Sequence, residues 1–191
     1  KKKNISILIS TGGYMSIPLC LAAKVLNIKI FLIEPNMVLG RANKFYLKFS
    51  EKLLCYSKKL INLPKRFEQK QIIIRPLIRK IYYEKSNYKK EGSLFTIIII
   101  GGSQGASIFD NLISEILVKI SSTCSLKVIH QTSTKNLNLL KNFYEQNKIQ
   151  NMIFTFDQNL NELLKQSDLS ITRAGASSLA ELSLLNVPFI A

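Results

Sequence analysis

Two apolar patterns alternate along the chain. Short runs of β-branched and aliphatic residues are each followed by a stretch in which apolar positions return every third or fourth residue, the periods of strand and helix. The strongest run is Ile97-Ile98-Ile99-Ile100, which breaks into Gly101-Gly102. An uninterrupted isoleucine run suits a strand buried on both faces, and Ala106 to Ile120 then has helical spacing. The same alternation predicts strands at Asn4–Ser10 and Ile28–Ile33 around a helix at Tyr14–Leu26, with Pro18 tolerated in its first turn. A short basic helix at Gly40–Ser50 and strands at Lys52–Tyr56 and Gln71–Ile74 follow.

A second series begins after the polar stretch Glu84–Gly92. It predicts strands at Leu94–Ile100, Leu126–Gln131, Met152–Phe156 and Asp168–Thr172, and a last one at Pro188. Helices at Ala106–Ile120, Thr134–Gln146, Leu160–Gln166 and Ser177–Leu185 separate them. Strands alternating with helices argue for parallel, doubly wound sheets. The fold class expected is therefore α/β, with two Rossmann-like domains of parallel strands facing a cleft and a boundary near residue 78, giving 1–78 and 79–191. Both sheets are expected to be incomplete, the first lacking an initial strand and the second a final one.

Composition narrows the picture. The 191 residues are 47% hydrophobic with 5 Pro and 8 Gly, a globular composition, and the apolar runs are strand length, far short of a bilayer span. Cys20, Cys55 and Cys124 lack metal-ligand spacing and suit a reducing compartment. His130 is the single histidine, which excludes a multi-histidine metal site within this sequence. A net charge of +15 fits an anionic partner or a solvated basic surface. Basic and aromatic residues do not interleave in the manner that stacks bases, which argues against nucleic acid. Arg41, Lys44 and Lys48 recur at helical spacing beside Phe45, Leu47 and Phe49, a pattern for a helix resting on a membrane or one packed on its own sheet.

The chemistry is expected at the glycine turns, because each follows a strand and so falls on the ligand edge of its sheet. Thr11-Gly12-Gly13-Tyr14, Gly101-Gly102-Ser103-Gln104-Gly105 and Arg173-Ala174-Gly175-Ala176 are these turns. None has the G-x-G-x-x-G spacing of a dinucleotide site, and no lysine follows as in a Walker loop, which disfavours hydride transfer and ATP hydrolysis. Ser103 and Gln104 place hydrogen-bonding side chains at a turn suited to phosphate oxygens. Glu181, on the helix after the third turn, is either a solvated carboxylate or an acceptor for the paired hydroxyls of a ribose.

Thr11-Gly12-Gly13-Tyr14, Glu34-Pro35-Asn36, Gly101 to Ala106, His130-Gln131-Thr132 and Arg173 through Glu181 occur in the order and approximate spacing of one family. The chain resembles the MurG family, GT-B-fold transferases that move N-acetylglucosamine from UDP-GlcNAc to lipid I and make lipid II for peptidoglycan. The resemblance implies an inverting hexosyltransferase that uses no cofactor and no metal at the donor site. Its partners would be UDP-GlcNAc, a polyprenyl-diphosphate-linked muramoyl peptide and the anionic inner-membrane surface, with a peripheral location on the cytoplasmic face. Carried over residue by residue, donor binding falls to Arg79, Ser103, Gln104, Phe156, Asp157, Ala176 and Glu181, with Phe156-Asp157 acting through backbone beside uracil. Acceptor binding falls to Gly12, Gly13, Glu34 and Asn36.

Departures from the family pattern are specific. Arg75-Pro76-Leu77-Ile78-Arg79 has one residue more after proline than the family's N-P-[VI]-R, and Ile33 and Pro35 replace the histidine and glutamine of its H-E-Q-N element. The family's first glycine loop, which carries its candidate base histidine, and its glutamine-rich donor segment are absent, so no catalytic base is assigned and this chain by itself is expected to turn over poorly. The competing readings are another GT-B transferase with a different nucleotide sugar or acceptor, and a noncatalytic basic binding module.

Overall fold

A computed structural model describes residues 4–84, 94–101 and 107–191, in two units that divide after Leu77. In the first unit β1 (Ile7–Ser10), β2 (Lys29–Glu34), β3 (Lys52–Cys55) and β4 (Gln71–Ile73) pair in that order, all parallel. Parallel neighbours need a crossover between them. Helix α1 (Ser16–Val25) supplies one and α2 (Arg41–Tyr46) lies within the next. Pro18 sits in the first turn of α1, where it interrupts no helical hydrogen bond.

The core of this unit forms where alternate strand residues Ile30, Leu32 and Leu53 meet Cys20 and Ala23 of α1 and Tyr46 beyond. Tyr46 is 1% exposed, and its hydroxyl donates to the Ile17 carbonyl at 3.0 Å, tying α2 to α1. The carbonyl end of α2 has a cationic cap. Lys70, in a 3₁₀ turn at Lys65–Lys70, donates from Nζ to Ser50 O at 2.5 Å, Leu47 O at 3.1 Å and Lys48 O at 3.4 Å. Helix ends leave carbonyls without intrahelical donors, and a lysine here serves both those lone pairs and the helix dipole.

The second unit opens with a 3₁₀ turn at Lys80–Tyr83 and holds β5 (Phe95–Ile100), α3 (Ser107–Ser121), β6 (Leu126–Gln131), α4 (Leu137–Gln146), β7 (Gln150–Phe154), α5 (Leu160–Lys165), β8 (Leu169–Thr172), α6 (Ala176–Leu184) and β9 (Phe189–Ile190). The strand order is β7-β6-β5-β8-β9, all parallel. β5 is central and covered on both faces. Ile97 and Ile99 pack with Leu117 of α3 and Leu140 and Tyr144 of α4, whereas Ile98 and Ile100 pack with Leu163 and Leu164 of α5, Leu182 of α6 and Tyr82. Burial on both faces is why the strand reads as unbroken isoleucine rather than as an alternation.

Helix ends repeat one device that the periodicity did not reveal. Asn27, Lys148 and Asn186 take left-handed backbones at φ 51°, 55° and 55° just past α1, α4 and α6. Each is followed by an amide that reaches back five residues, Ile28 to Ala23, Ile149 to Tyr144 and Val187 to Leu182. Such turns satisfy helix carbonyls and aim the chain at the next strand.

Several elements differ from the expected limits: β1 starts at Ile7 rather than Asn4, and α2 spans Arg41–Tyr46 rather than Gly40–Ser50. β7 runs two residues earlier than Met152–Phe156, because Gln150 to Phe154 pair with Lys127 to Gln131 and the chain then leaves the sheet. α4 starts at Leu137 rather than Thr134, since Ser133 to Asn136 form a turn. Replacing Lys70 by Met is expected to lower unfolding stability by about 1–3 kcal/mol in urea titrations, the cost of hydrogen bonds to a charged group. An unchanged midpoint would show that the α2 end needs no cap.

Candidate functional site

Open parallel sheets bind ligands outside the carboxyl ends of their strands, at the point where strand order reverses. In the second unit that point lies between β5, which continues toward β6 and β7, and β8 on its other side. Ile100 stands opposite Thr172 in the β5–β8 register, so Gly101 and Arg173 follow at neighbouring strand ends. Gly101 is buried, and Gly102 to Ala106, including Ser103 and Gln104, lie outside the described residues.

α6 begins at this edge with Gly175 as its N-terminal flanking residue, at φ −76° and ψ 132°, without a capping side chain and without an acidic residue in its first turn. Its first-turn amides therefore suit an anion. Ala176 is the first helical residue, and Glu181 follows on the same helix with its side chain 14% exposed. Arg79 Nε lies 3.5 Å from Glu181 Oε1, and Arg79 Nη2 donates to the Tyr82 hydroxyl at 2.7 Å. The guanidinium also stands 5.0 Å from the Tyr82 ring centroid. Tyr82 is 3% exposed, and burial, followed by its hydrogen bond to Glu181 and that carboxylate's charge, pushes its hydroxyl up to about 12 against the opposing pull of Arg79. The phenol is thus neutral and accepts from Arg79.

Phe156 is 76% exposed just past β7, and Asp157 turns the chain there by accepting the Asn159 amide on Oδ1 at 2.7 Å. No distance connects these two residues to the Arg79–Tyr82–Glu181 cluster.

Behind the βα turns lies a buried polar network. Asp110, in the first turn of α3, accepts on Oδ2 from the Thr132 hydroxyl at 2.8 Å and from Asn136 Nδ2 at 2.7 Å. Its Oδ1 lies 3.4 Å from His130 Nε2, while His130 Nδ1 is 3.0 Å from the Tyr144 hydroxyl. One carboxylate thus ties α3 to the turn after β6. His130 is fully buried, and that burial, opposed by Asp110, pushes it down to about 4. Burial followed by the charge of Asp110 pushes Tyr144 up. A neutral, inaccessible imidazole is a structural hub and cannot take a proton from a bound substrate.

In the first unit, Gly12 and Gly13 follow β1 with φ of 82° and 84°, a region that a side chain disfavours. A Cβ on Gly12 would stand 3.0 Å from Asn43 Oδ1, whereas one on Gly13 would meet nothing within 4 Å. Glu34, 2% exposed at the end of β2, accepts on Oε2 from the Gly40 amide at 2.8 Å and Asn43 Nδ2 at 3.0 Å, and on Oε1 from Asn36 Nδ2 at 3.1 Å and its amide at 3.3 Å. Glu34 and Asn36 are therefore brought together with Gly12 through Asn43, and Glu34 acts on the loop itself. Among the described residues no group of three or more His, Cys, Asp or Glu could hold a metal.

Sequence reasoning missed Tyr82, Asp110, Asn136 and Asn43. Tyr82 stands one helical turn past Arg79, and Asp110 is an acid in a helix first turn; both spacings are visible in the chain, but their partners are distant in sequence.

Residues 96–191 match the glycosyltransferase family 28 C-terminal domain, and residues 1–55 match its N-terminal domain. A protein of Pelagibacter ubique (strain HTCC1062), named UDP-N-acetylglucosamine--N-acetylmuramyl-(pentapeptide) pyrophosphoryl-undecaprenol N-acetylglucosamine transferase, is 46% identical over 191 residues, covering 100% of this chain and 54% of that protein. The chain spans about half the length of the curated relatives it matches. Among solved structures, Acinetobacter baumannii MurG superposes with a TM-score of 0.70 at 19% identity, covering 93% of this chain and 49% of that one. The UDP-GlcNAc 2-epimerase of Neisseria meningitidis bound to UDP-GlcNAc gives 0.65 at 12% identity over 94% and 57% of the two chains. At such identities the likeness is one of fold, and the expected α/β, GT-B-like class is the class found.

His130 predicts an acid sensitivity of known sign. Its folded value near 4 lies below the ordinary 6.5, so the unfolded chain binds more protons between these pH values and stability falls as pH falls through that window. Equilibrium unfolding is expected to lose about 2 kcal/mol between pH 7 and pH 5 from this group. His130→Gln should flatten that slope, and an equal slope in both proteins would remove His130 as its source.

Proposed function

Because this chain belongs to glycosyltransferase family 28, we propose that it is the donor-binding half, with part of the acceptor half, of a transferase moving N-acetylglucosamine from UDP-GlcNAc to lipid I to give lipid II. The name carried by the Pelagibacter relative supports this substrate pair. The observation that supports the reading is the β5–β8 register, which pairs Ile100 with Thr172 beside the strand end from which α6, the helix of Glu181, follows.

The residues divide the work by chemistry. Residues 1–78 belong to the acceptor side and 79–191 to the donor side. Glu181 accepts the two ribose hydroxyls of UDP, and the α6 amides, Ala176 and the turn from Gly101 receive the diphosphate, with Ser103 and Gln104 as its side-chain contacts. Phe156 and Asp157 flank the uracil through backbone, and Arg79 approaches the donor from beside Glu181. Gly12 and Gly13 leave room for the acceptor diphosphate, while Glu34 and Asn36 shape the neighbouring loop.

In the reaction an acceptor hydroxyl oxygen attacks the anomeric carbon as the bond to UDP breaks, inverting the centre. The hydroxyl proton passes to a base, and the charge that develops on the departing diphosphate is met by amides and Arg79. His130 is not that base, for it is sealed in the network with Asp110 and Tyr144.

The first unit also has the character of a lipid-facing surface. Fifteen of the 27 Lys and Arg residues but three of the 12 Asp and Glu lie at or before Leu77, so it carries +12 against +3 for the second. Val38 and Ile61 form an isolated parallel bridge, and both are exposed, as are Met37 and Phe45. An apolar strip within a strongly cationic surface suits an anionic bilayer, which supplies both attractions together.

Titration of UDP into the chain is expected to show binding that chelating agents leave unchanged and that Glu181→Ala weakens about tenfold, in keeping with the loss of charged hydrogen bonds. Unchanged affinity in Glu181→Ala, or preference for a nucleotide other than UDP, would overturn the donor assignment. Vesicles containing phosphatidylglycerol should retain the chain, with release by salt, and a Val38→Asp, Ile61→Asp double variant should bind several-fold less. Equal retention of that variant would move the lipid contact elsewhere.

A further inference from the structure

Resting on the reading of Glu181 as the ribose acceptor, we infer that Arg79 guards that carboxylate and exchanges it for the donor's diphosphate, so that ribose and diphosphate are recognised together and a nucleoside without phosphates is disfavoured. Two segments about a hundred residues apart meet here, Arg79 at the entry of the second unit and Glu181 on α6.

The geometry sets up a competition. Arg79 Nε stands 3.5 Å from Glu181 Oε1. A vicinal diol donates one hydroxyl to each oxygen of a carboxylate, so the guanidinium and the ribose seek the same oxygen. The ion pair also offsets the charge that makes a carboxylate a strong acceptor.

Of the two partners, the arginine is the one placed to move. Its main chain is fixed, because the Tyr82 amide donates to the Arg79 carbonyl at 3.1 Å where the 3₁₀ turn begins. Its side chain is 59% exposed against 14% for Glu181, and an ion pair with so exposed a partner contributes little. The guanidinium rests on the buried Tyr82, donating from Nη2 to its hydroxyl at 2.7 Å with the ring centroid 5.0 Å away. Glu181 is held more firmly, since the adjacent Leu182 anchors α6 in the core with 1% exposure.

The place for an anion lies on the same helix. α6 begins at Ala176 without a capping side chain or a first-turn acid, five residues before Glu181, which is about 7.5 Å along the axis at 1.5 Å per residue. UDP therefore brings a partner for each group, a diol for Glu181 and an anion for Arg79. Uridine brings only the first. Parting the pair is offset when the diphosphate arrives with the ribose and is a net cost when the ribose comes alone.

The test is a binding cycle with two ligands of opposite expected response. UDP and uridine are titrated into the chain and into Arg79→Gln, Glu181→Ala and the double variant. Arg79→Gln is expected to weaken UDP about tenfold, by loss of charged hydrogen bonds to the diphosphate, and to tighten uridine about threefold, by freeing the carboxylate. In the Glu181→Ala background Arg79→Gln should still weaken UDP but leave uridine unchanged, since no carboxylate remains to be freed. Uridine affinity that is unchanged or weakened in Arg79→Gln, an equal gain in the Glu181→Ala background, or unchanged UDP affinity in Arg79→Gln would each overturn the exchange while leaving the donor site in place. Unchanged UDP binding in Glu181→Ala would instead overturn the donor reading, and the exchange with it.

Discussion

A parallel strand can pair with only one partner on each side, and the pairing of β5 with β6 on one side and β8 on the other is the constraint on which the second unit depends. It places Ile100 opposite Thr172 and so opens a crevice where two connections diverge to opposite faces of the sheet. The helices that follow, α3 and α6, pack with different sets of β5 isoleucines. The capacity proposed for this edge, to receive an anion, would follow from that topology before any side chain is considered.

Side chains then stiffen the edge from two directions. At the end of β6, Asp110 of α3 gathers Thr132 and Asn136, while His130 of β6 and Tyr144 of α4 lie against it. Beside α6, Arg79 bridges the Tyr82 hydroxyl and the Glu181 carboxylate. Asp110 Oδ2 and the Tyr82 hydroxyl are thereby paired, whereas the buried Asp110 Oδ1 and His130 Nε2 face each other at 3.4 Å without a hydrogen bond. In the first unit Glu34 does comparable work, drawing Gly40, Asn36 and Asn43 around a carboxylate that is almost wholly buried. Its accepting capacity is spent on the fold, and this gives it a different standing from Glu181, which keeps partial exposure.

Much of this was legible in the residue order. The apolar periods placed nearly every strand and helix, because a strand buried on both faces must be apolar throughout and a helix on a sheet needs an apolar stripe. The glycine turns and the carboxylate after the third marked the ligand edge. Less visible were the limits of β7 and α4. Interstrand register stopped the first at Phe154, and a turn at Ser133 to Asn136 delayed the second, neither of which leaves a local mark. The complete burial of His130, which bars it from acting as a base, also has no local mark in the sequence.

By itself, then, the sequence determined the class of fold, the succession of elements, the strong basicity and the set of turns where an anion can be held, since all of these follow from local periodicity, charge and glycine spacing. Only the tertiary structure decided which groups meet. Arg79 with Glu181, Asp110 with Asn136 and Asn43 with Glu34 are contacts between segments separated in sequence, and their partners are selected by strand order and helix packing rather than by any spacing along the chain. A hydroxyl's role depends on the donor and acceptor that packing brings within 3 Å of it, and that information resides in the fold.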